Sequence, residues 1–291
     1  MASAEGKYIT HPNGQKTHYF DDDNTEPGSE CETILIQPGF ARHGAFWDHW
    51  ATKFSGKNRV IRRDARGHGR SSHPDEISST SYKYDADTIC AEIIDMLDQL
   101  KLKKVHFLGE STGGMVGEIL AVKYPDRLHS LIICSSPTYL PPAALEMFAF
   151  GHEDWPTALR KLGARGWAER LSKMPGTVPA SNPAEPDLAY LPWWLDQISI
   201  SSSEGLAQYA EFLITLDARP YLQHIKTPML ILAPANSAAT TVEEQESIQR
   251  QVQGSTLKVI NGKGHEIYVD MIYHCQLAVM EFFARLRGEH P

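Results

Sequence analysis

Cysteine is scarce. Only four occur, Cys31, Cys90, Cys134 and Cys275, widely scattered and without a C-x-x-C pair. That scatter argues against a disulfide framework or a zinc site and leaves buried free thiols as the expected state. No apolar run approaches the length of a membrane span, and residues 1–10 lack the charged-then-apolar pattern of a secretory signal. The expectation is a cytoplasmic protein with no membrane partner. Positive charge is in deficit, 28 Lys+Arg against 36 Asp+Glu for a net −8, and no basic stripe offsets it. Nucleic acid and anionic membrane are therefore poor main partners, and neutral substrates are favoured over strongly anionic ones. Internal repeats and low-complexity tracts are also missing.

What remains is an ordinary globular composition, 42% hydrophobic and 22% charged over 291 residues. This suits one α/β domain carrying an insertion. Lys7 to Thr10 and Lys16 to Phe20 flank an Asn13-Gly14 turn, a hairpin signal. Apolar strand-like runs follow at 33–36, 59–62, 105–108, 128–134, 229–232 and 256–260, with helical spacing over 46–54, 84–100, 116–124, 242–252 and 268–287. Strands alternating with helices predict a mostly parallel sheet covered on both faces, with the site at the strand ends. The rhythm breaks between Thr138 and Lys226. Clustered prolines, helical patches over 158–171 and 204–216, and Trp155, Trp167, Trp193 and Trp194 mark an inserted lid. The expected division is 1–137 and 227–291 as core, with 138–226 as a helical cap.

The chemistry centres on Gly109-Glu110-Ser111-Thr112-Gly113, where a strand runs into a helix. A serine on such a sharp turn holds its hydroxyl away from the sheet, poised as a nucleophile. It needs a base at the same sheet edge. His265, in the glycine-rich turn Asn261 to His265 late in the chain, fits best of the 13 histidines. His68, in a glycine turn, reads as a packing residue, and His43 as a pocket-lining one. Two backbone N–H groups must also face the developing oxyanion. Thr112 supplies one and Phe40 the other, since Pro38 has no N–H to give.

These motifs together resemble the α/β-hydrolases. The matching residues are Pro38-Gly39-Phe40, Asp64 to Ser71, Gly109 to Gly114, Tyr124 to Arg127 and Gly264-His265, which span nearly the whole chain. Leu108 to Gly114 and Arg127 to Leu131 are similar to enol-lactone hydrolases. The resemblance implies an α/β-hydrolase fold with a helical lid, no cofactor and no metal. Two departures stand out. The loop that usually begins His-Gly here begins Pro38-Gly39. The aspartate normally found after the strand at 229–232 is missing from Ala233 to Thr240, and Cys134-Ser135-Ser136, an alternative location, lacks one too.

Three arrangements are open for the third position: Asn236 or Ser237 orients the histidine by a neutral hydrogen bond, a more distant Glu243, Glu244 or Glu246 reaches in, or the site mainly binds. Glu110 and Glu266 flank the key residues, but neighbours on a tight turn rarely point the same way, so both read as structural. Asp217 reads as a capping or salt-bridging residue. Gly39, Arg42, His43 and the Trp193-Trp194 pair are the expected substrate contacts. The function expected is hydrolysis of an ester or lactone of a small, apolar or aromatic molecule, with homodimerisation open. The rivals are a C–C bond hydrolase of a dienone acid, which would need a cationic carboxylate-binding pair, and a ligand-binding, receptor-like protein on the same fold.

Overall fold

The computed structural model describes residues 6–28, 31–74, 84–178 and 189–289. In chain order the strands are β1 (Lys7–Thr10), β2 (Lys16–Asp22), β3 (Thr33–Gln37), β4 (Arg59–Arg63), β5 (Val105–Glu110), β6 (Leu128–Cys134), β7 (Met229–Pro234) and β8 (Thr256–Ile260). The helices are α1 (Asp48–Phe54), α2 (Ala86–Gln99), α3 (Thr112–Lys123), α4 (Pro142–Ala149), α5 (Trp155–Leu171), α6 (Tyr190–Ile198), α7 (Ser203–Thr215), α8 (Val242–Gln251), α9 (Ile267–Asp270) and α10 (Ile272–Leu286). None among the described residues is long and apolar enough to cross a membrane.

The eight strands form one sheet in the order β1-β2-β4-β3-β5-β6-β7-β8. The first two pairings, β1 with β2 and β2 with β4, are antiparallel, and every later pairing is parallel. β3, β5 and β7 are buried along their whole length, which explains why they read as unbroken apolar runs rather than as alternating ones. From β3 the chain passes to β4 on one side and later to β5 on the other. The crevice beyond the carboxyl ends of β3 and β5 is thus the switch point of the sheet, where such folds bind ligands.

Behind that crevice stands α3, buried from Thr112 through Ala121 and so apolar almost all round. One residue breaks this rule. Glu118 is fully buried, and neither of its carboxylate oxygens has a hydrogen-bond partner among the described residues.

Between β6 and β7 the chain leaves the sheet and builds α4 to α7. Its two ends are tied together, the Ala218 amide donating to the Thr138 carbonyl (2.8 Å) beside a Tyr139–Asp217 bridge. Asp217 also holds Arg219 at 2.7 Å. α5 starts earlier than its apolar spacing suggests, at Trp155, capped by Asp154, and it bends at Gly163, whose φ is 72°. The proline-bearing stretch 179–188 lies outside the described residues.

Candidate active site

Ser111 follows β5 and caps α3 at φ 50° and ψ −125°, a positive-φ geometry that a serine adopts only when its surroundings impose it. The surroundings are glycines. A Cβ on Gly109 would lie 2.6 Å from the Gly113 carbonyl oxygen, and one on Gly113 would collide with the Gln37 carbonyl. Strand and helix can therefore close round the serine only with hydrogen at both positions. The Ser111 amide donates to Cys134 O (2.9 Å) and its carbonyl accepts from Ser136 Oγ (2.8 Å), fixing the turn to the end of β6.

The Ser111 hydroxyl lies 3.0 Å from His265 Nε2. His265 sits in the loop after β8, with its carbonyl accepting from Ser135 Oγ (2.7 Å) and its amide donating to the Thr177 carbonyl (3.2 Å). The ring's other nitrogen, Nδ1, is 2.9 Å from Ser237 Oγ. Of the two neutral candidates, only Ser237 therefore touches the imidazole. Asn236 is exposed and turned away, its amide donating to Gly262 O (2.8 Å) and Asn261 Oδ1 (3.0 Å). Nor does a distant glutamate arrive. Glu243, Glu244 and Glu246 are all exposed on α8, where Glu244 caps Thr241 and Glu246 faces Arg250.

Ser237 is a crowded acceptor. Its oxygen also receives N–H groups from Ala239 (3.0 Å) and Thr240 (3.1 Å), so a proton on Nδ1 shares its two lone pairs with both of them. A carboxylate in that place would offer about four acceptor sites and a charge, whereas this hydroxyl offers neither to spare. Burial, followed by the nearby Arg42 charge, pushes the His265 pKa down to about 3, so the ring is neutral near pH 7.

Two amides complete the geometry. Those of Phe40 and Thr112 have no intramolecular acceptor among the described residues, whereas the Gly39 amide is committed to Glu110 Oε2 at 2.6 Å. Gly39 is thus a holder of the loop rather than a ligand contact. Arg42 steadies the same loop by donating to Phe40 O (3.1 Å). Its guanidinium is matched by Glu266 at 2.7 Å, so although it borders the cavity it brings no spare charge to bind a substrate carboxylate.

A cavity of about 50 Å³ opens at Ser111 and His265, walled by Phe40, Thr112, Leu140, Ala144, Met147, Phe148, Trp155, Trp167 and Leu171, with Glu110 and Arg42 at its polar end. Three expected lining residues are elsewhere. His43 is buried against α6, 3.1 Å from Gln197 O. Trp194 is buried and donates to Glu266 (2.9 Å), while Trp193 is 40% exposed against Phe46 and Tyr190. Adjacent residues on a helix point about 100° apart, and neither of these faces the cavity. The aromatic wall comes instead from Trp155 and Trp167 on α5, whose rings pack on Phe40 at 4.3 and 5.4 Å. Their spacing of twelve residues, interrupted by the Gly163 bend, carries no periodic signal. Glu110 too was unexpected, since its carboxyl turns into the same space as Ser111, with Oε1 3.8 Å from His265 Nε2. His68, by contrast, packs as expected, edge-on to Phe40 and Tyr209.

Comparison with known proteins places this geometry in context. Residues 32–271 match the family model described as alpha/beta hydrolase fold. The chain is 29% identical over 229 residues to 3-oxoadipate enol-lactonase 2 of Acinetobacter baylyi, covering 78% of this chain and 79% of that protein. It is 23% identical over 274 residues to a putative carbamate hydrolase, RutD, of Caulobacter sp., covering 89% and 92%. Among solved structures, the enol-lactonase from Burkholderia xenovorans superposes with a TM-score of 0.82 at 21% identity, covering 96% of this chain and all of that one.

Proposed function

We propose that this chain, which belongs to the alpha/beta hydrolase fold family, is a cofactor-independent serine hydrolase cleaving an ester or lactone of a small, apolar or aromatic molecule. The observation that carries the reading is the relay Ser237–His265–Ser111, with steps of 2.9 and 3.0 Å, opening on an aromatic cavity beside two unused amides. In this mechanism Ser111 Oγ attacks the carbonyl carbon as its proton passes to His265 Nε2. The oxyanion is held by the amides of Phe40 and Thr112. His265 returns the proton to the departing alkoxide, which in a lactone stays tethered to the acyl group. Water then attacks the acyl-enzyme by the same steps. The similarity to a protein named an enol-lactonase supports a lactone as the substrate class.

The test is a fluorophosphonate probe read by intact mass, with peptide mapping, alongside a panel of aryl esters and lactones. One adduct on Ser111, and turnover of at least one panel member, is the expected result. A chain that takes up no probe, yet melts at higher temperature with aromatic lactones, is a binding protein instead.

A smaller effect is expected at the third position. Ser237→Ala removes a neutral contact and no charge, so kcat should fall by only about tenfold with KM nearly unchanged. A drop of about 10⁴ would mean that Ser237 carries the weight of a full triad acid.

A further inference from the structure

On the hydrolase reading above, the base must become an imidazolium in the transition state, and its Nδ1 side meets only a neutral hydroxyl whose lone pairs are shared with two backbone amides. We propose that Glu110 supplies the missing negative charge from the other side of the ring, acting through His265 in place of the absent triad acid. Its carboxyl is buried, borders the cavity and brings Oε1 within 3.8 Å of His265 Nε2, while Oε2 is pinned by the Gly39 amide at 2.6 Å. At that range in a water-poor site, a carboxylate favours the charged form of its neighbour by roughly 1–3 pK units. Held by Gly39, the carboxyl cannot swing off to solvent, and its fixed place makes it a positioning residue for the imidazolium rather than a nucleophile.

The charged and titratable groups around Glu110 are Arg42 in the loop after β3, His265 and Glu266 in the loop after β8, Tyr268 on α9, Tyr190 on α6 and Cys134 on β6. Burial raises the Glu110 pKa to about 7, against the lowering pull of Arg42 and the Gly39 amide and with Glu266 adding to the rise. The counter-charge is therefore present above neutrality and lost below it. Because His265 titrates far lower, near 3, a limb near pH 7 belongs to Glu110.

The experiment compares kcat/KM on an activated aryl ester from pH 5 to 9 for the wild type, Glu110→Gln, and the double change Glu110→Gln with Ser237→Asp. Glutamine keeps an acceptor for the Gly39 amide and removes the charge. The wild type should rise through a midpoint near 7. The glutamine variant should lose that limb and run flat, about tenfold to a hundredfold below the wild type at pH 8.5. The double variant should recover most of the loss, because a carboxylate now faces Nδ1. Should Glu110→Gln fail to fold, Ser237→Asp alone serves: it should flatten the limb, the base then having a permanent counter-charge. A limb that persists at the same midpoint in the foldable variant overturns the proposal while leaving the serine hydrolase intact. A wild type that takes no phosphonate overturns both.

Discussion

Ser111→Ala should lower kcat/KM on an activated aryl ester by about 10⁴-fold, with the unfolding midpoint almost unmoved because alanine meets the same positive φ with the same Cβ. The size of the loss is informative. Removing the nucleophile from a full serine triad costs about 10⁶, and removing the acid alone about 10⁴. A relay ending in a crowded hydroxyl, with nothing making up for the lost charge, would retain only about 10² of triad catalysis for Ser111→Ala to abolish. The larger expected loss reflects the Glu110 charge at 3.8 Å from Nε2. Steady-state rates on the purified variant, with background hydrolysis subtracted, separate the two values. A loss nearer 10² would show a base working without a counter-charge.

The largest change in stability is expected at Glu118. Its carboxyl is buried with no partner among the described residues, and burial raises its pKa well above the ordinary 4.5. The sign follows from proton linkage. Below about pH 4.5 folded and unfolded chains both hold the proton and no penalty arises. Above it the unfolded chain releases the proton while the folded chain keeps it. Each further unit then costs the native state about 1.4 kcal/mol, until the folded group also ionises. Glu118→Gln and Glu118→Met should therefore gain on the wild type as pH rises. The gain should reach a few kcal/mol by pH 8, a large share of a typical 5–15 kcal/mol stability. Urea midpoints at pH 4.5, 6, 7 and 8 test this, and variant and wild-type curves that run parallel would sink it.

The sheet was legible in the sequence because its inner strands are buried on both faces and so appear as apolar runs between glycines and prolines. The turns carrying Ser111 and His265 were legible for a related reason, as each is glycine-rich and stands at the end of such a run. The insertion was less so. Its prolines read as breaks, yet Pro142 and Pro156 stand in the first turns of α4 and α5, where a missing N–H costs nothing and the fixed φ starts the helix. Choosing Ser237 over Asn236 was beyond any pattern, since both lie in one short loop and only its path decides which side chain meets the imidazole. The direction of the Glu110 side chain was hidden for a specific reason. The rule that neighbours diverge holds for regular backbone, and the positive-φ turn at Ser111 suspends it.

One strap of chain joins the insertion to the relay. The Gly176 carbonyl accepts the Ala238 amide at 2.9 Å, the Thr177 carbonyl accepts the His265 amide, and Gly264 packs so close to Gly176 that a Cβ there would come 3.0 Å from its carbonyl. The loops bearing His265 and Ser237 are thus both fastened to the segment that follows α5. That helix supplies the tryptophans roofing a cavity of about 50 Å³, too small for a typical small-molecule ligand unless the roof shifts. The cavity wall and the imidazole thus share one footing, the segment at Gly176 and Thr177.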